Sequence, residues 1–535
     1  MRFSARRRMV KINSAIKKHF FLKRLAAPIL LIVVFLYSFS VSKYETSNSA
    51  QNRRKVDLIY ADENTIIMDD STNQEVHHIV GNVKFRMDEN ILTCDSAHYI
   101  ANKMQITAFG NAHITQGDTL DIYSDYMFYD GIIDIAEAKH NVVMIDKETH
   151  LYTDSITYDV KNQIANYTNR GKIINKQNTL TSIIGVYYVD QSLFHFKDSV
   201  KIVNPDYVVT SDTMNYNTNT EIALFTGPTE VTGDSLYMYC EKGWYETKTK
   251  ISSIWENAFI DNKKNTLRGD SLFYNDSLGY GRAFRNVVIE DTTNSMFVMG
   301  NYALYNKNPE NIFVTDSAVF LQVSKDDSLF IHGDTLRTIT VVHDSIKSYR
   351  LLKSYYNSRI FSKNIQAKCD SLTLSFLDTI ARFYYEPVMW SEETQLTADS
   401  MALLLKNKKP DKLELYGNTF AISQIDTLRH NQIKGNTLTA YFENSEIYKI
   451  NVDGDGESIY YILDGDYLAG LNKSKAGTIN IFVDKGQVTD VIEYQNPQGT
   501  IDPPDPIGKN EPRFDGFIWL EALRPKDKND IFRKK

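Results

Sequence analysis

Eight tyrosines, Tyr99, Tyr129, Tyr158, Tyr187, Tyr216, Tyr245, Tyr274 and Tyr305, recur 29 to 31 residues apart, too regular for chance in a chain with 33 tyrosines. Four residues before each lies a position that is usually acidic: Asp95, Asp125, Asp154, Ile183, Asp212, Glu241, Asp270 and Asn301. The block reads Asp-Ser/Thr-x-x-Tyr at Asp95, Asp154, Asp212 and Asp270, then continues more loosely at Asp334, Asp370, Asp399 and Asn436. A second block runs in phase about 13 residues upstream of the aspartate and pairs a small or polar residue with apolar ones at alternate positions. Its members are Gly81 to Phe85, Gly110 to Ile114, Asn141 to Met144, Asp198 to Ile202, Glu256 to Ile260, Asn286 to Ile289, Asp316 to Phe320 and Glu386 to Trp390. Alternation of period two means strands. A repeat of this length marks stacked architectures, in which one unit cannot bury its own apolar face without its neighbours. The expectation is therefore one repetitive all-β body over about residues 56 to 470, not the three or four globular domains that 535 residues would otherwise suggest.

Abundant Tyr, Ile, Val, Phe and Thr with only 12 prolines favours sheet. The first 42 residues hold nine Lys/Arg and no acid, and the remainder carries 51 basic against 67 acidic residues. So acidic a body is a poor match for nucleic acid, whose phosphates need a basic surface. The basic N-terminus leads into an apolar run, Leu25 to Val41, which reads as an export signal: either a cleaved signal peptide or a retained membrane anchor within residues 1–42. Either way the positive flank stays cytoplasmic and the repeats lie beyond the inner membrane. Residues 43–55 read as a linker, 56–320 as regular repeats and 321–369 as an irregular repeat or insertion. Residues 370–496 read as further repeats and a cap, and 497–535 as a Pro-rich charged tail with an aromatic patch at Phe514 to Leu523 that suits capping or docking.

The recurring aspartates resemble catalytic carboxylates only superficially. Catalysis needs a pair that differs from its neighbours, whereas a residue repeated in most units normally closes turns by accepting backbone N–H bonds. Along a strand, Asp270, Leu272 and Tyr274 would share one face. Cys94, Cys240 and Cys369 each precede a lane acid, several repeats apart, so they read as small semi-buried residues and not as disulfides or metal ligands. Asp453 to Asp464 faintly resembles a calcium loop, but Ser458 stands where the loop needs glycine. His77 and His78, adjacent on a strand, point to opposite faces. No nucleotide-binding or hydrolase motif is present, so no cofactor, no metal site and no enzymatic activity are expected.

With the export signal and both blocks in hand, the chain resembles the OstA-like family: the periplasmic lipopolysaccharide-transport proteins LptA and LptC and the N-terminal domain of LptD. The carriers are the Gly-Asn-Val-x-Phe strands (Gly81 to Phe85, Gly110 to Ile114) and the Asp-Ser-x-x-Tyr strands (Asp95 to Tyr99, Asp154 to Tyr158, Asp270 to Tyr274), over about residues 56 to 470. The resemblance implies an elongated β-jellyroll of roughly 29-residue repeats, with two facing antiparallel sheets and an apolar groove for acyl chains. It implies a periplasmic bridge that shields lipopolysaccharide or lipooligosaccharide between inner and outer membranes, with other Lpt components as partners. The groove residues it points to are Val83, Phe85, Ile114, Val142, Met144, Val200, Ile202, Val231, Ile260, Leu272, Tyr274, Val287, Ile289 and Phe320. About three strands per repeat would be shared between the sheets. The chain departs from the family in being far longer than the single-domain members and too short to add a membrane barrel. The rival reading is an exported structural or surface β-solenoid that binds protein or glycan, its apolar stripes closed into a sealed core.

Overall fold

The computed structural model describes residues 56–533 except 70–72, 118–119, 235, 325–326, 344–345, 408, 466, 485–486 and 504–510. The export signal or anchor and the linker lie outside the described residues. All that follows concerns the unit Arg54–Lys535.

The unit is almost entirely antiparallel strand. Gln74–Met87, Asn90–Ile100, Gln105–Gln116, Leu120–Asp130, Ile135–Asp146 and Thr149–Asp159 each pair with the next in a meander. The ladder breaks midway along every one of these pairs, for example between Val80 and Val83 and between Phe109 and Ala112. Residue pairs at positive φ occupy the breaks: Gly81 and Asn82, Gly110 and Asn111, His140 and Asn141, Asp198 and Ser199, Glu256 and Asn257, Arg285 and Asn286. These are the starts of the second sequence block. Here each strand bends, so that its two halves belong to two sheets. Where the break is wider, two short strands stand in for one long one, as in Ile164–Tyr167 with Gly171–Asn175.

The folding-over is recorded in one contact. The Tyr158 hydroxyl donates to the Gln116 side-chain oxygen, although their strands are three apart in the ladder. That separation is about 14 Å along a flat sheet, so the half bearing Tyr158 must face the half bearing Gln116. Between the halves lies one continuous apolar cluster running from Ile79 to Ile481.

Two expectations are corrected by the bend. Each repeat contains two strands, not three, because a strand of 11 or 12 residues serves both sheets. Asp270 does not share a face with Leu272 and Tyr274: the inward set steps from Gly269 to Leu272, and Asp270 is exposed at the corner. The same step, from Cys94 to Ala97, explains the cysteines. They are the last inward residues before the corner and fully buried, not semi-buried. Burial pushes the thiols up to about 11 for Cys94 and about 12 for Cys240 and Cys369, so they are poor nucleophiles.

The meander runs on through residues 321–369, where Thr335–His343 and Ile346–Phe361 form a long hairpin. Residues 453–464 lie inside the strand Glu446–Asp464, so they form no ion-binding loop. After Gln498–Asp502 the tail docks on the outer face of the later repeats. Gln432 donates to the Pro512 carbonyl (2.8 Å) and accepts from Phe514 N–H (3.0 Å). Gln395 does the same with Ile518 and Leu520, both at 2.7 Å, and Gln366 accepts from Arg524 Nε at 2.7 Å. Covered on both sides, Val388–Ser391 is buried throughout.

Candidate lipid-binding site

The corner is built from the aspartate lane. Asn111 Nδ2 donates to Asp95 (2.9 Å), Asn141 to Asp125 (2.7 Å), Asn286 to Asp270 (2.9 Å) and Asn418 to Asp399 (3.0 Å). The lane acids therefore accept side-chain amides from the corner of the next strand, not the backbone N–H groups expected from turn chemistry. At Gly110 glycine relieves crowding: φ is +71, and a Cβ there would lie 2.5 Å from the Asp95 carboxylate, whereas His140, Asp198, Glu256 and Arg285 carry side chains at the matching position. Just inside, the Ser124, Ser182 and Ser211 hydroxyls donate to carbonyls two residues on, bracing the bend. A lane of exposed, amide-paired carboxylates is structural.

All the proposed groove residues sit between the two halves. Val83, Phe85, Ile114, Val142, Met144, Val200, Ile202, Val231, Leu272, Val287 and Phe320 are buried. Ile260 and Ile289 are half-buried against the same cluster, and Tyr274 is half-buried over Gly281. The lane tyrosines, with Leu272, lie on the half opposite Val83, Phe85 and Ile114, and most sit across from a small residue: Tyr129 from Ala136, Tyr158 from Ala165, Tyr216 from Ala223. A ring thus fills the space that alanine leaves.

The far ends of the half-strands, away from the corner, form two lips. From Gln116 to Tyr245 these lips are fastened. Tyr158 donates to Gln116 and Tyr187 to Asp146, whose side chains are buried or half-buried. Asn178 donates to Tyr216 at 3.4 Å, Lys176 pairs with Glu221 at 2.5 Å, and the Tyr207 and Tyr245 rings meet edge to face at 5.8 Å. Burial, with the hydrogen bond to Asp146 second and its charge third, drives the Tyr187 phenol well above its ordinary value; burial lifts Tyr158 most, and the nearby Asp146 and Asp159 charges add to it. The clasping residues Gln116, Asp146 and Asn178 were not legible in the sequence, because each looks like any polar hairpin residue.

Beyond Tyr245 the lips part. The inward side chains nearest them, Ile260, Leu267, Ile289 and Val298 on one half and Tyr274 and Ile312 on the other, are all partly exposed, while Leu272, Ala283, Val287 and Ala303 beside the corner stay buried. The Tyr274 hydroxyl turns to Asp276 on its own hairpin (3.4 Å). The lips rejoin at Arg350, 3.4 Å from Asp291 and 3.6 Å from Glu310, and at the Phe320 and Phe376 rings, 6.4 Å apart.

The OstA-like protein family model matches residues 53–212 and 213–328, just over half of the chain. The chain belongs to the OstA-like family. No curated protein matches it. Among solved structures, the extracellular domain of a protein described as a one component system, BT4673 from B. thetaiotaomicron, aligns at 7% identity. That alignment covers 84% of this chain and 99% of the other, with a TM-score of 0.09, and carries no argument. Family membership and the all-β fold agree with the resemblance read from the Gly-Asn and Asp-Ser blocks. Among the described residues, no helix is long and apolar enough to cross a membrane, and no group of three or more His, Cys, Asp or Glu is placed to hold a metal ion.

Proposed function

We propose that this OstA-like chain works in the periplasm, shielding the acyl chains of lipopolysaccharide between its two half-sheets on the way from inner to outer membrane. The observation that carries this reading is the parted stretch beyond Tyr245, where the apolar interior is within reach of solvent. An acyl chain there would meet Ile260, Leu267, Ile289 and Val298 with no chemical step required. Burial contributes roughly 0.8 kcal/mol per methylene, so about twelve carbons would gain about 10 kcal/mol. Opening one clasp costs on the order of 1 to 3 kcal/mol, so lipid already seated in the parted stretch could spread toward the fastened repeats. Other Lpt components at both membranes are the expected partners.

The fastened repeats favour a second reading for their own stretch. From Leu120 to Cys240 the inward side chains pack against one another behind closed lips, as a sealed structural solenoid requires. Lipid extraction separates the two. Full-length protein purified from its own envelope carries a stoichiometric phosphorylated, acylated glycolipid under the transport reading. It is lipid-free, and takes up none from lipopolysaccharide micelles, under the solenoid reading.

A further inference from the structure

One row on the outer surface is unlike the others. It crosses the strands at the outward position beside the corner, on the half that bears the tyrosine lane, and passes from Tyr355 to Ser371, Tyr384, Ser400 and Tyr416 as ladder partners. The inward neighbours Leu372, Phe383, Met401 and Leu415 are buried, so the row faces outward. Tyr384 and Tyr416 are 36% and 45% exposed, and Tyr356 and Tyr385 at the adjoining corners are 61% and 72% exposed. From Trp255 to Thr437 every strand of this half supplies a ring or a hydroxyl at the row, and none supplies an aliphatic or charged residue. In the earlier repeats the same row holds Val80, Lys139 and Lys197. On the opposite half of the later repeats the tail covers the outer face through Gln395 and Gln432, so the tyrosine face is the one that meets solvent.

We propose that Tyr355, Tyr384 and Tyr416 form a binding face for an extended, diequatorially β-linked amino-sugar chain, the glycan of the cell wall. Successive rings stand two strands apart, about 10 Å at the usual interstrand spacing, which is the advance of one disaccharide in such a chain. Alternate sugars turn over along it, so every second sugar meets a ring with the same face. A pyranose with equatorial substituents offers axial C–H groups to a phenol ring, and tyrosine supplies that contact area at little cost in side-chain freedom. Ser371 and Ser400, midway between rings, meet the intervening sugar with hydroxyls that both donate and accept. Glu386 and Asp399 at the corner, and Thr373 and Arg382 in the next row toward the lip, flank the row with acceptors and donors for the sugar hydroxyls and amides. A row of rings without aliphatic side chains suits a sugar better than an apolar partner surface. The proposal rests on the reading that the chain lies beyond the inner membrane, and does not depend on what the interior carries.

The test sediments full-length protein with purified, insoluble cell-wall sacculi and, separately, with starch granules, whose glucan is α-linked. The protein should pellet with sacculi and not with starch, and soluble chitohexaose should release it. Tyr384→Thr combined with Tyr416→Thr keeps a β-branched residue and a hydroxyl at each strand position and should weaken binding to sacculi on the order of tenfold per ring. Tyr384→Phe combined with Tyr416→Phe keeps both rings and should retain binding. Tyr467→Thr removes a tyrosine that is 81% exposed but outside the row, and should change nothing. Circular dichroism and the urea midpoint verify that each variant keeps the fold. Failure to pellet with sacculi, equal pelleting with starch, no competition by chitohexaose, or a threonine pair that binds as well as the phenylalanine pair overturns the proposal. Lipid-free protein that still pellets with sacculi would leave the wall contact standing while the lipid reading fell.

Discussion

Removing the Tyr187 hydroxyl isolates the contribution of one clasp. In Tyr187→Phe the ring still fills the space beside Ala165 and stacks on Phe194, 3.9 Å between centroids, so packing is preserved. What is lost is the donor to Asp146, a residue only 4% exposed. Hydrogen bonds to charged groups are worth about 1.5 to 3 kcal/mol, and a buried carboxylate left without its donor adds a desolvation cost. A loss of about 2 to 3 kcal/mol follows. Tyr274→Phe is the matched control: its hydroxyl meets only an exposed acid at 3.4 Å, and its loss should stay within about 0.5 kcal/mol. Adding Asp146→Leu to Tyr187→Phe should recover most of the deficit, because replacing both partners with apolar groups removes the unmet charge. Urea midpoints report the sum, and amide exchange in Ile135–Asp146 and Ile184–Tyr188 reports where the fold loosens. Equal losses for Tyr187→Phe and Tyr274→Phe, or no recovery in the double variant, would refute the clasp.

Further outcomes can be checked in the same way. Gly110→Ala, which combines a left-handed φ with a Cβ 2.5 Å from the Asp95 carboxylate, should cost at least about 2 kcal/mol; a change in urea midpoint worth under about 0.5 kcal/mol would contradict the corner geometry. Gln395→Ala deletes two hydrogen bonds to the tail, worth about 2 to 3 kcal/mol together, and should speed tryptic cleavage after Arg524 while leaving the repeats intact; unchanged cleavage would contradict the docked tail. Stability should begin to fall near pH 9, where the thiols of the unfolded chain ionise while buried Cys94, Cys240 and Cys369 stay protonated, and fall more steeply above about pH 10. Burial holds the Tyr167 and Tyr216 phenols up at about 12, so between those limits the unfolded chain ionises while the folded one does not. Each costs about 3 kcal/mol by pH 12. A urea midpoint that holds or rises from pH 10 to 12 would show these rings to be solvated.

The tyrosine lane, the Gly-Asn starts and the inward residues from Val83 to Phe320 were legible because each recurs in phase and obeys period-two alternation. The bend was not. Alternation on either side of Asp95 reads as ordinary strand, and only the inward step of three from Cys94 to Ala97 betrays a corner. That step also makes sense of Cys240 and Cys369. The clasps escaped because Gln116, Asp146 and Asn178 acquire partners 38 to 42 residues away only once the sheet folds over. Gln366, Gln395 and Gln432 likewise sit where an outer face would carry any polar residue, and they gain meaning from a tail far along the chain. The repetition of the lane acids pointed to a structural part in the repeat, yet their partners are corner asparagines, a pairing that spacing alone could not distinguish from turn closure.

The central claim, that the interior of these repeats carries lipid, is tested most directly in cells. Placing p-benzoylphenylalanine at Phe85, Met144, Ile202 and Ile289 in turn, and at the exposed neighbour Lys84, then irradiating and probing for lipopolysaccharide, should give adducts at the inward positions and none at Lys84. Adducts at no inward position would contradict the account and leave a closed structural core.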